Sequence, residues 1–307
     1  MRFRILAAAF FLAGCATASP SPSPSLPPVE VTPSPSSTVE PSPTPVPLDQ
    51  AMLARRFTVL VAGADTDLSR RAEGVSEVNT DALMVVSVSA DKSRIAIMSL
   101  PRDTVYIPMA DGSIYHGKVN GIAQKLGIET LRSAMATLLG VPIDRYIRVD
   151  MDDFTWMVDA VGGIDVEVKT PISDAGVDLF LDPGPAHLDG AQALSFSRTR
   201  ADSDYARAAR QQQVIVALAR KWLDPGLGAM LETVGLLGSL ETDIGPREVP
   251  TLMEIGRRSA SAEVTGIVLE PPRFSLFVGF EPNSPRGWVM IPNVAEIQAY
   301  ARSVTLD

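Results

Sequence analysis

The sequence FTVLVAGAD, residues 57–65, is the starting point for predicting the fold. A continuous apolar run from Phe57 to Ala62 is typical of a strand buried within a sheet. The run ends in Gly63-Ala64-Asp65, which places an acid at the C-terminal end of the strand. Open α/β sheets bind their ligands at such ends, so Asp65 marks a candidate site at the edge of a sheet.

Two more strands follow, ALMVVSVS at 82–89 and RIAIMSL at 94–100. The short polar stretch ADKS between them predicts a hairpin. Asp81 begins the first strand and Arg102 follows the second. Because an antiparallel pair brings these two positions to one edge, we expect Asp81 and Arg102 to lie close together.

Further along the chain, apolar runs with strand spacing alternate with helical patterns up to a final helix at 294–303. The predicted elements include a loop at 178–185, a helix at 188–194 and a helix near 227–240. No internal repeat and no second linker interrupt them. This order predicts one domain over 55–307, with an α/β fold of three layers, α/β/α, around a central mixed sheet.

Positive charge is concentrated in SFSRTRADSDYARAARQQQ, residues 195–213. Arg198 and Arg200 alternate at strand spacing, so both are predicted to point the same way from one strand end. On the helix predicted after them, Arg207 and Gln211 lie one turn apart on the same face. Guanidinium groups fit phosphate bidentately, and the free N–H groups of a helix start add to the same field. The alternative is that each arginine is a solvated surface residue, since the chain uses Arg more often than Lys.

Asp65 and Asp81 are candidate ligands for a hard metal ion. Mg²⁺ prefers carboxylate oxygens, keeps several waters and is commonly completed by substrate phosphates. The alternative is that Asp65 is a turn residue and Asp81 a cap at the strand entry. The sequence contains no Gly-rich phosphate loop, dinucleotide fingerprint or histidine-based zinc spacing, and no nucleophilic triad is visible.

The charge of the whole chain restricts the kind of partner. The formal net charge is −9 over 307 residues. This excludes a non-specific nucleic-acid binder, which requires a basic face. The basic cluster is therefore predicted to serve a small anion.

The N-terminus predicts export. Two arginines precede a short apolar run, and the sequence LAGC at 12–15 resembles a bacterial lipobox. Cys15 is the only cysteine, as expected if it carries acyl chains, so 1–15 is predicted to be a lipoprotein signal peptide. An ordinary secretory signal or an N-terminal membrane anchor are the alternatives. Residues 16–50 are rich in Pro, Ser and Thr and are predicted to form a disordered linker.

With these residues considered together, the chain resembles the LytR–CpsA–Psr family of bacterial envelope proteins. The resemblance covers roughly 57–223, in family order. It lies in LVAGAD (60–65), NTDALMVVSV (79–88), MSLPRDTVYIP (98–108), GKVNGIA (117–123), LLGVPIDRYIRVDMDDF (138–154), VDAVGGIDVEV (158–168), HLDGAQALSFSRTR (187–200) and DYARAARQQQ (204–213).

The resemblance implies an α/β/α enzyme that uses Mg²⁺ to move a glycopolymer from a polyprenyl-pyrophosphate carrier onto peptidoglycan. It implies that Asp65 and Asp81 are associated with the metal, and that Asp65, Arg102 and Arg200 are catalytic. The residues implied to contact the pyrophosphate are Arg102, Lys118, Arg198, Arg200, Arg207 and Gln211. An acid, Asp65 or Asp204, is expected to deprotonate the acceptor hydroxyl.

The family also carries an apolar tunnel for the lipid between sheet and helices. Its candidate walls, for which ordinary core is the favoured alternative, are Ile122, Leu126, Leu131, Met135, Leu138, Trp156 and Met157. Two departures from the family pattern stand out: Asn79 occupies a position that is often Arg, and a lipobox with a linker replaces a transmembrane helix. A lipid-pyrophosphate phosphohydrolase and a non-catalytic, regulatory binder of envelope polymers are the alternative functions.

Overall fold

The computed structural model describes residues 46–74, 78–222, 240–282 and 284–305. The predicted signal peptide with Cys15, most of the linker and most of the predicted helix near 227–240 lie outside the described residues. Within the described ranges, no helix is both long enough and apolar enough to cross a bilayer.

Strands and helices alternate along the described part of the chain. In chain order the strands are β1 (Phe57–Ala64), β2 (Thr80–Val88), β3 (Arg94–Ser99), β4 (Ile107–Pro108), β5 (Ile114–Tyr115), β6 (Arg145–Val149), β7 (Ile164–Val168), β8 (Ile172–Asp174), β9 (Leu179–Leu181), β10 (Gly184–Leu188), β11 (Glu241–Thr242), β12 (Glu263–Val268), β13 (Ser275–Phe280) and β14 (Trp288–Pro292). The helices are α1 (Gln50–Ala54), α2 (Leu68–Ala72), α3 (Ile122–Leu126), α4 (Ile128–Leu139), α5 (Met151–Ala160), α6 (Gly190–Arg198), α7 (Asp204–Trp222), α8 (Val249–Arg258) and α9 (Val294–Thr305).

The central sheet is mixed, with the order β11-β6-β1-β2-β3-β12 in the part of the chain that is described. Strand β1 runs parallel to β6, and β3 runs parallel to β12. The pairs β1–β2, β2–β3 and β6–β11 are antiparallel. The hairpin predicted between β2 and β3 is therefore confirmed, and the starts of β2 and the ends of β1 and β3 meet at one edge.

Helices cover both faces of this sheet, which confirms the three-layer α/β/α prediction. Side chains of a strand alternate between faces, and β1 and β2 follow this rule. Leu60 and Val85 belong to the larger core, which contains side chains of α3, α4 and α9. Val61 and Met84 face the other layer, formed by α5, α6 and α7.

The predicted strand through Arg198 and Arg200 is wrong, because a helix occupies its first half. Asp189 accepts a hydrogen bond from the backbone of Gln192, whose side chain caps Asp189 in return, so α6 begins at Gly190. The helix then continues to Arg198, and a short connection containing Arg200 leads into α7.

Three other regions differ from the predicted elements. The predicted loop at 178–185 contains β9 and the start of β10. Strand β14, which no pattern indicated, pairs with β13. Helix α1 was not predicted either; it lies before residue 55, and its Met52 and Leu53 pack against Ile255 of α8.

Candidate functional site

A cavity of about 470 Å³ lies between the sheet and helices α5, α6 and α7. This volume falls in the range of ligand pockets, roughly 300–1,000 Å³. Most of its wall is apolar and comes from strands and helices alike: Val61, Ala62, Met84, Val149, Met151, Phe154, Met157, Val177, Leu194, Val214, Ile215 and Leu218.

Charged side chains from separate parts of the chain line the same cavity. Those predicted from the sequence come from the end of β1, the start of β2 and the residues after β3, which the sheet topology brings to one edge, and from the α6–α7 region. Asp150 and Asp174 line the cavity as well. Seven predicted site residues are brought together in this way: Asp65, Asp81, Arg102, Arg198, Arg200, Arg207 and Gln211.

Asp81 is the centre of this charged cluster. Its carboxylate forms an ion pair with Arg102, as the hairpin topology predicted. Arg200 Nη2 lies 4.0 Å from the same carboxylate, and Asn120 Nδ2 donates a hydrogen bond to it at 3.3 Å. Asn120 was overlooked at the sequence level, although it belongs to the GKVNGIA motif.

Arg207 is the most deeply buried cation of the cluster, with 5% of its surface exposed. Its Nη1 lies 3.0 Å from Asp204 Oδ1, and Arg200 Nε lies 3.4 Å from the same oxygen. Burial lowers the pKa of Arg207, and the nearby positive charges of Arg102 and Arg200 lower it further. The buried Nε atoms of Arg102 and Arg207 have no hydrogen-bond partner among the described residues.

This electrostatic arrangement favours a bound anion. A guanidinium that is buried, repelled by two other guanidiniums and short of hydrogen-bond acceptors is stabilised by phosphate oxygens. The first turn of α7 lies at the same place and adds the partial positive charge of a helix start. The site therefore has the donors and the charge to bind a diphosphate.

A network of buried contacts fixes the connection that carries Arg200. Arg210 donates from Nη1 to Asp202 Oδ2 at 2.7 Å, from Nη2 to Thr199 O at 2.7 Å and from Nε to Phe196 O at 3.1 Å. Thr199 Oγ1 in turn donates to Asp174 Oδ2 at 2.6 Å. Sequence reasoning missed Arg210 and Asp174, because their partners lie on other elements.

Two predicted phosphate contacts differ from the rest. Lys118 does not line the cavity: its Nζ lies 2.5 Å from Asp103 Oδ1, next to Arg102. Arg198 lines the cavity and is exposed, and within the described ranges it forms no ion pair. Arg198 is thus free to reach a ligand, whereas Lys118 would first have to leave Asp103.

Most of the candidate tunnel walls lie away from the cavity, and the alternative of ordinary core holds for four of them. Only Met157 lines the cavity. Leu126 and Trp156 are 50% and 41% exposed. The others lie in the core on the opposite face of the sheet, because α3 and α4 cover that face: Ile122, Leu131, Met135 and Leu138.

The two candidate metal ligands share the cavity without forming a complete metal site. Asp65 Oδ2 lies 3.3 Å from Arg70 Nη1, and the backbone N–H of Asp65 donates to Asn79 O at 2.9 Å. Among the described residues there is no group of three or more His, Cys, Asp or Glu that could hold a metal. Two carboxylates beside a cluster of arginines nevertheless fit Mg²⁺, which commonly takes its other ligands from water and substrate phosphates.

Comparison with known protein families assigns the chain independently of this geometry. The model of the LytR_cpsA_psr family matches residues 35–271. The chain belongs to the LytR–CpsA–Psr family. The likeness found in the sequence motifs is thereby confirmed over most of the chain.

Curated relatives of this family member are named as transferases. The polyisoprenyl-teichoic acid–peptidoglycan teichoic acid transferase TagV of Bacillus subtilis is 28% identical over 214 residues, which is 66% of this chain and 54% of TagV. The similarly named TagU of Halalkalibacterium halodurans is 32% identical over 199 residues, 61% of each chain. The chain thus spans only about half to three fifths of the length of these relatives.

Solved structures share the fold. The crystal structure of B. subtilis TagV has a TM-score of 0.65 at 23% identity. The match covers 82% of this chain and 96% of the TagV chain. A structure described as TagT bound to LIIa-WTA has a TM-score of 0.64 at 20% identity, covering 82% and 90%. At these identities the likeness establishes the α/β fold.

Proposed function

We propose that this protein transfers a glycopolymer, as a phosphodiester, from a polyprenyl-pyrophosphate carrier onto peptidoglycan. The observation that carries the proposal is the convergence of Arg102, Arg198, Arg200 and Arg207 on an apolar cavity. The transferase names of TagV and TagU support the same reaction class.

The two halves of such a carrier match the two kinds of wall in the cavity. A polyprenyl chain is apolar and suits the side chains contributed by the sheet and α5–α7. A pyrophosphate carries several negative charges and suits the arginines at the sheet edge. The lipid would therefore lie inside the cavity, with its diphosphate at the arginines.

The chemistry follows from this placement. The acceptor hydroxyl oxygen forms a bond to the phosphorus that bears the glycopolymer, and the bond from that phosphorus to the bridging oxygen breaks. The polyprenyl phosphate leaves with the electron pair, and Arg102, Arg200 and Arg207 stabilise its growing charge. Asp65 or Asp204 takes the hydroxyl proton.

Asp65 and Asp81 would hold Mg²⁺, since both carboxylates line the cavity beside the arginines. When bound, the ion supplies charge neutralisation on the phosphate oxygens. The arginines act on the same oxygens, so binding and charge stabilisation are shared between side chains and ion.

We place the protein outside the cytoplasm, attached to the membrane as a lipoprotein through Cys15. The LAGC sequence and the absence of any other cysteine support this placement. Metabolic labelling with a palmitate analogue should modify the wild type and leave Cys15→Ser unlabelled. Equal labelling of both would exclude Cys15 as the anchor.

The decisive experiment follows a labelled lipid-linked glycopolymer with and without soluble peptidoglycan oligomers. We expect acceptor-dependent transfer by the wild type and loss of most of it in Arg200→Ala and Arg102→Ala. Arg220→Ala is the matched control, because Arg220 is exposed on α7 and does not line the cavity. Release of polymer into water at equal rate without acceptor would indicate a phosphohydrolase. Recovery of unchanged substrate would indicate a binding protein.

A further inference from the structure

A second, smaller cavity of about 200 Å³ adjoins the candidate site. Four residues line both cavities and so form a shared wall: Asp81, Arg102, Arg207 and Gln211. A phosphate held by Arg102 and Arg207 would therefore border both cavities.

The smaller cavity differs from the larger one in chemistry. Beyond the shared wall, half of its ten lining residues supply hydroxyl groups, carboxylates and one indole: Ser99, Asp103, Asp204, Tyr205 and Trp288. The other half are apolar: Leu83, Leu100, Pro101, Ala208 and Met290. Hydroxyl and carboxylate groups can both accept hydrogen bonds from sugar hydroxyls. An aromatic ring can cover the apolar C–H face of a sugar ring.

Trp288 is held at this cavity by the β13–β14 hairpin. The hairpin is fixed beside Arg102, because Met290 donates its N–H to Asp103 O at 3.1 Å and accepts from Val105 N at 2.9 Å. Phe280 is paired with Trp288 across the hairpin, with ring centroids 5.6 Å apart at 82°. Trp288 is 48% exposed, so a large part of the indole is available to a ligand.

Tyr205 adds a neutral hydroxyl group to the same cavity. Its pKa is raised by burial and by the nearby carboxylates of Glu270, Asp204 and Asp103. Within the described ranges its hydroxyl forms no hydrogen bond, and neither does the indole N–H of Trp288. Both groups are therefore free to bind a polar ligand.

From this geometry we infer that the smaller cavity is the subsite for the acceptor, and that it binds a sugar of the peptidoglycan strand against Trp288 and Tyr205. In phosphoryl transfer the attacking and leaving oxygens lie roughly in line through the phosphorus. With the lipid phosphate leaving toward the apolar cavity, the attacking hydroxyl arrives from the opposite side. We assign this approach to the smaller cavity, which shares the arginine wall but not the apolar lining contributed by α5 and by Val214, Ile215 and Leu218 of α7.

The position of the acceptor subsite also distinguishes between Asp65 and Asp204 as the residue that takes the hydroxyl proton. Asp204 lines the smaller cavity but not the larger one, whereas Asp65 lines only the larger one. Of the two candidate proton acceptors, only Asp204 lines the cavity from which the hydroxyl approaches. We therefore assign Asp204 as the residue that takes the hydroxyl proton, an assignment that rests on the proposed transfer reaction.

The test uses the full chain with a short-chain polyprenyl-pyrophosphoryl-N-acetylglucosamine donor and a soluble GlcNAc–MurNAc tetrasaccharide acceptor. For Trp288→Ala we expect the acceptor KM to rise about tenfold, because the sugar loses its aromatic contact. For Tyr205→Phe we expect a rise of about threefold to tenfold from one lost hydrogen bond. The Kd of the donor should be unchanged in both, and the fraction of donor hydrolysed by water should rise.

Two controls make the outcomes distinct. Leu276→Ala changes an exposed side chain on the same hairpin that lines neither cavity, and its acceptor KM should equal that of the wild type. Trp288→Phe keeps an aromatic ring and should retain most of the acceptor affinity. Wild-type transfer with an unchanged acceptor KM in Trp288→Ala and Tyr205→Phe would overturn the subsite alone. No transfer by the wild type would overturn the proposed function and the subsite with it.

Discussion

Arg207 Nη1 lies 3.0 Å from Asp204 Oδ1, one turn earlier on α7, and this carboxylate is shared with Arg200. One acid thus faces two cations, one of which is buried. Burial and the like charges of Arg102 and Arg200 lower the pKa of Arg207, so folding places a guanidinium where its charge is poorly compensated. Such an arrangement fits a role in binding an anion better than a role in stabilising the fold.

Replacing Arg207 with Met should separate binding from stability. We expect the Kd for inorganic pyrophosphate to rise by more than about tenfold, because a buried charge-assisted contact is lost. The free energy of unfolding should be unchanged or higher, since a desolvated charge is removed. Calorimetric titration and urea unfolding measure the two effects, with Arg220→Met as control. Intact pyrophosphate binding combined with a large loss of stability would show that Arg207 is structural.

The metal assignment makes a separate prediction. In Asp65→Asn and Asp81→Asn we expect Mg²⁺ to bind at least about tenfold more weakly, because each variant loses one of two carboxylate ligands. Binding of Mn²⁺, followed by electron paramagnetic resonance, measures this without an activity assay. Glu73→Gln, at an exposed position away from the cavity, is the control. Equal Mn²⁺ affinity in all variants would contradict a metal site at these aspartates.

Sequence reasoning predicted the contact that hairpin topology determines, but it did not predict every element that carries a site residue. The Asp81–Arg102 pair was predictable, because hairpin topology alone brings the two positions together. The helix through Arg198 was not, because strand spacing and helical spacing are both satisfied by so short a stretch. The capping box at Asp189 was the available signal, and it decides for a helix.

The cavity itself shows the limit of the sequence. Apolar residues of α4 and α5 look alike in a periodicity pattern, but only α5 lies on the face that carries the cavity. Which face a helix covers depends on how the chain crosses the sheet. Trp288 could not be predicted either. The β13–β14 hairpin carries it to the site, and this hairpin is held there by hydrogen bonds to residues far away in sequence.

Asp174 predicts a stability change in the acid range. The hydrogen bond from Thr199 lowers the pKa of Asp174 below its ordinary value of 3.8. A carboxylate with a lowered folded pKa contributes stability above the unfolded pKa, and this is lost as the pH falls through the folded pKa. Asp174→Asn should therefore have a lower urea midpoint than the wild type at pH 7, and the gap should narrow below about pH 4.

Asp182→Asn is the matched control for that series, because Asp182 is exposed and, within the described ranges, has no hydrogen-bond partner. Its urea midpoint should follow that of the wild type at every pH. A gap between Asp174→Asn and the wild type that stays constant from pH 7 to about pH 3 would contradict the role assigned to the carboxylate charge.

Gln212 attaches the arginine-bearing helix to the sheet and makes the last prediction. Its Nε2 donates to Ser99 Oγ and to Ile267 O, each at 2.8 Å, and a Cβ added at Gly266 would lie 2.4 Å from its Oε1. Gly266→Ala should therefore displace the buried amide and lower the free energy of unfolding by about 1–3 kcal/mol. In a Gln212→Ala background, Gly266→Ala should lower the free energy of unfolding much less, because the side chain that the new Cβ would contact is absent. Urea unfolding of the four proteins measures the coupling, and additive effects would mean that Gly266 is required for a reason unrelated to Gln212.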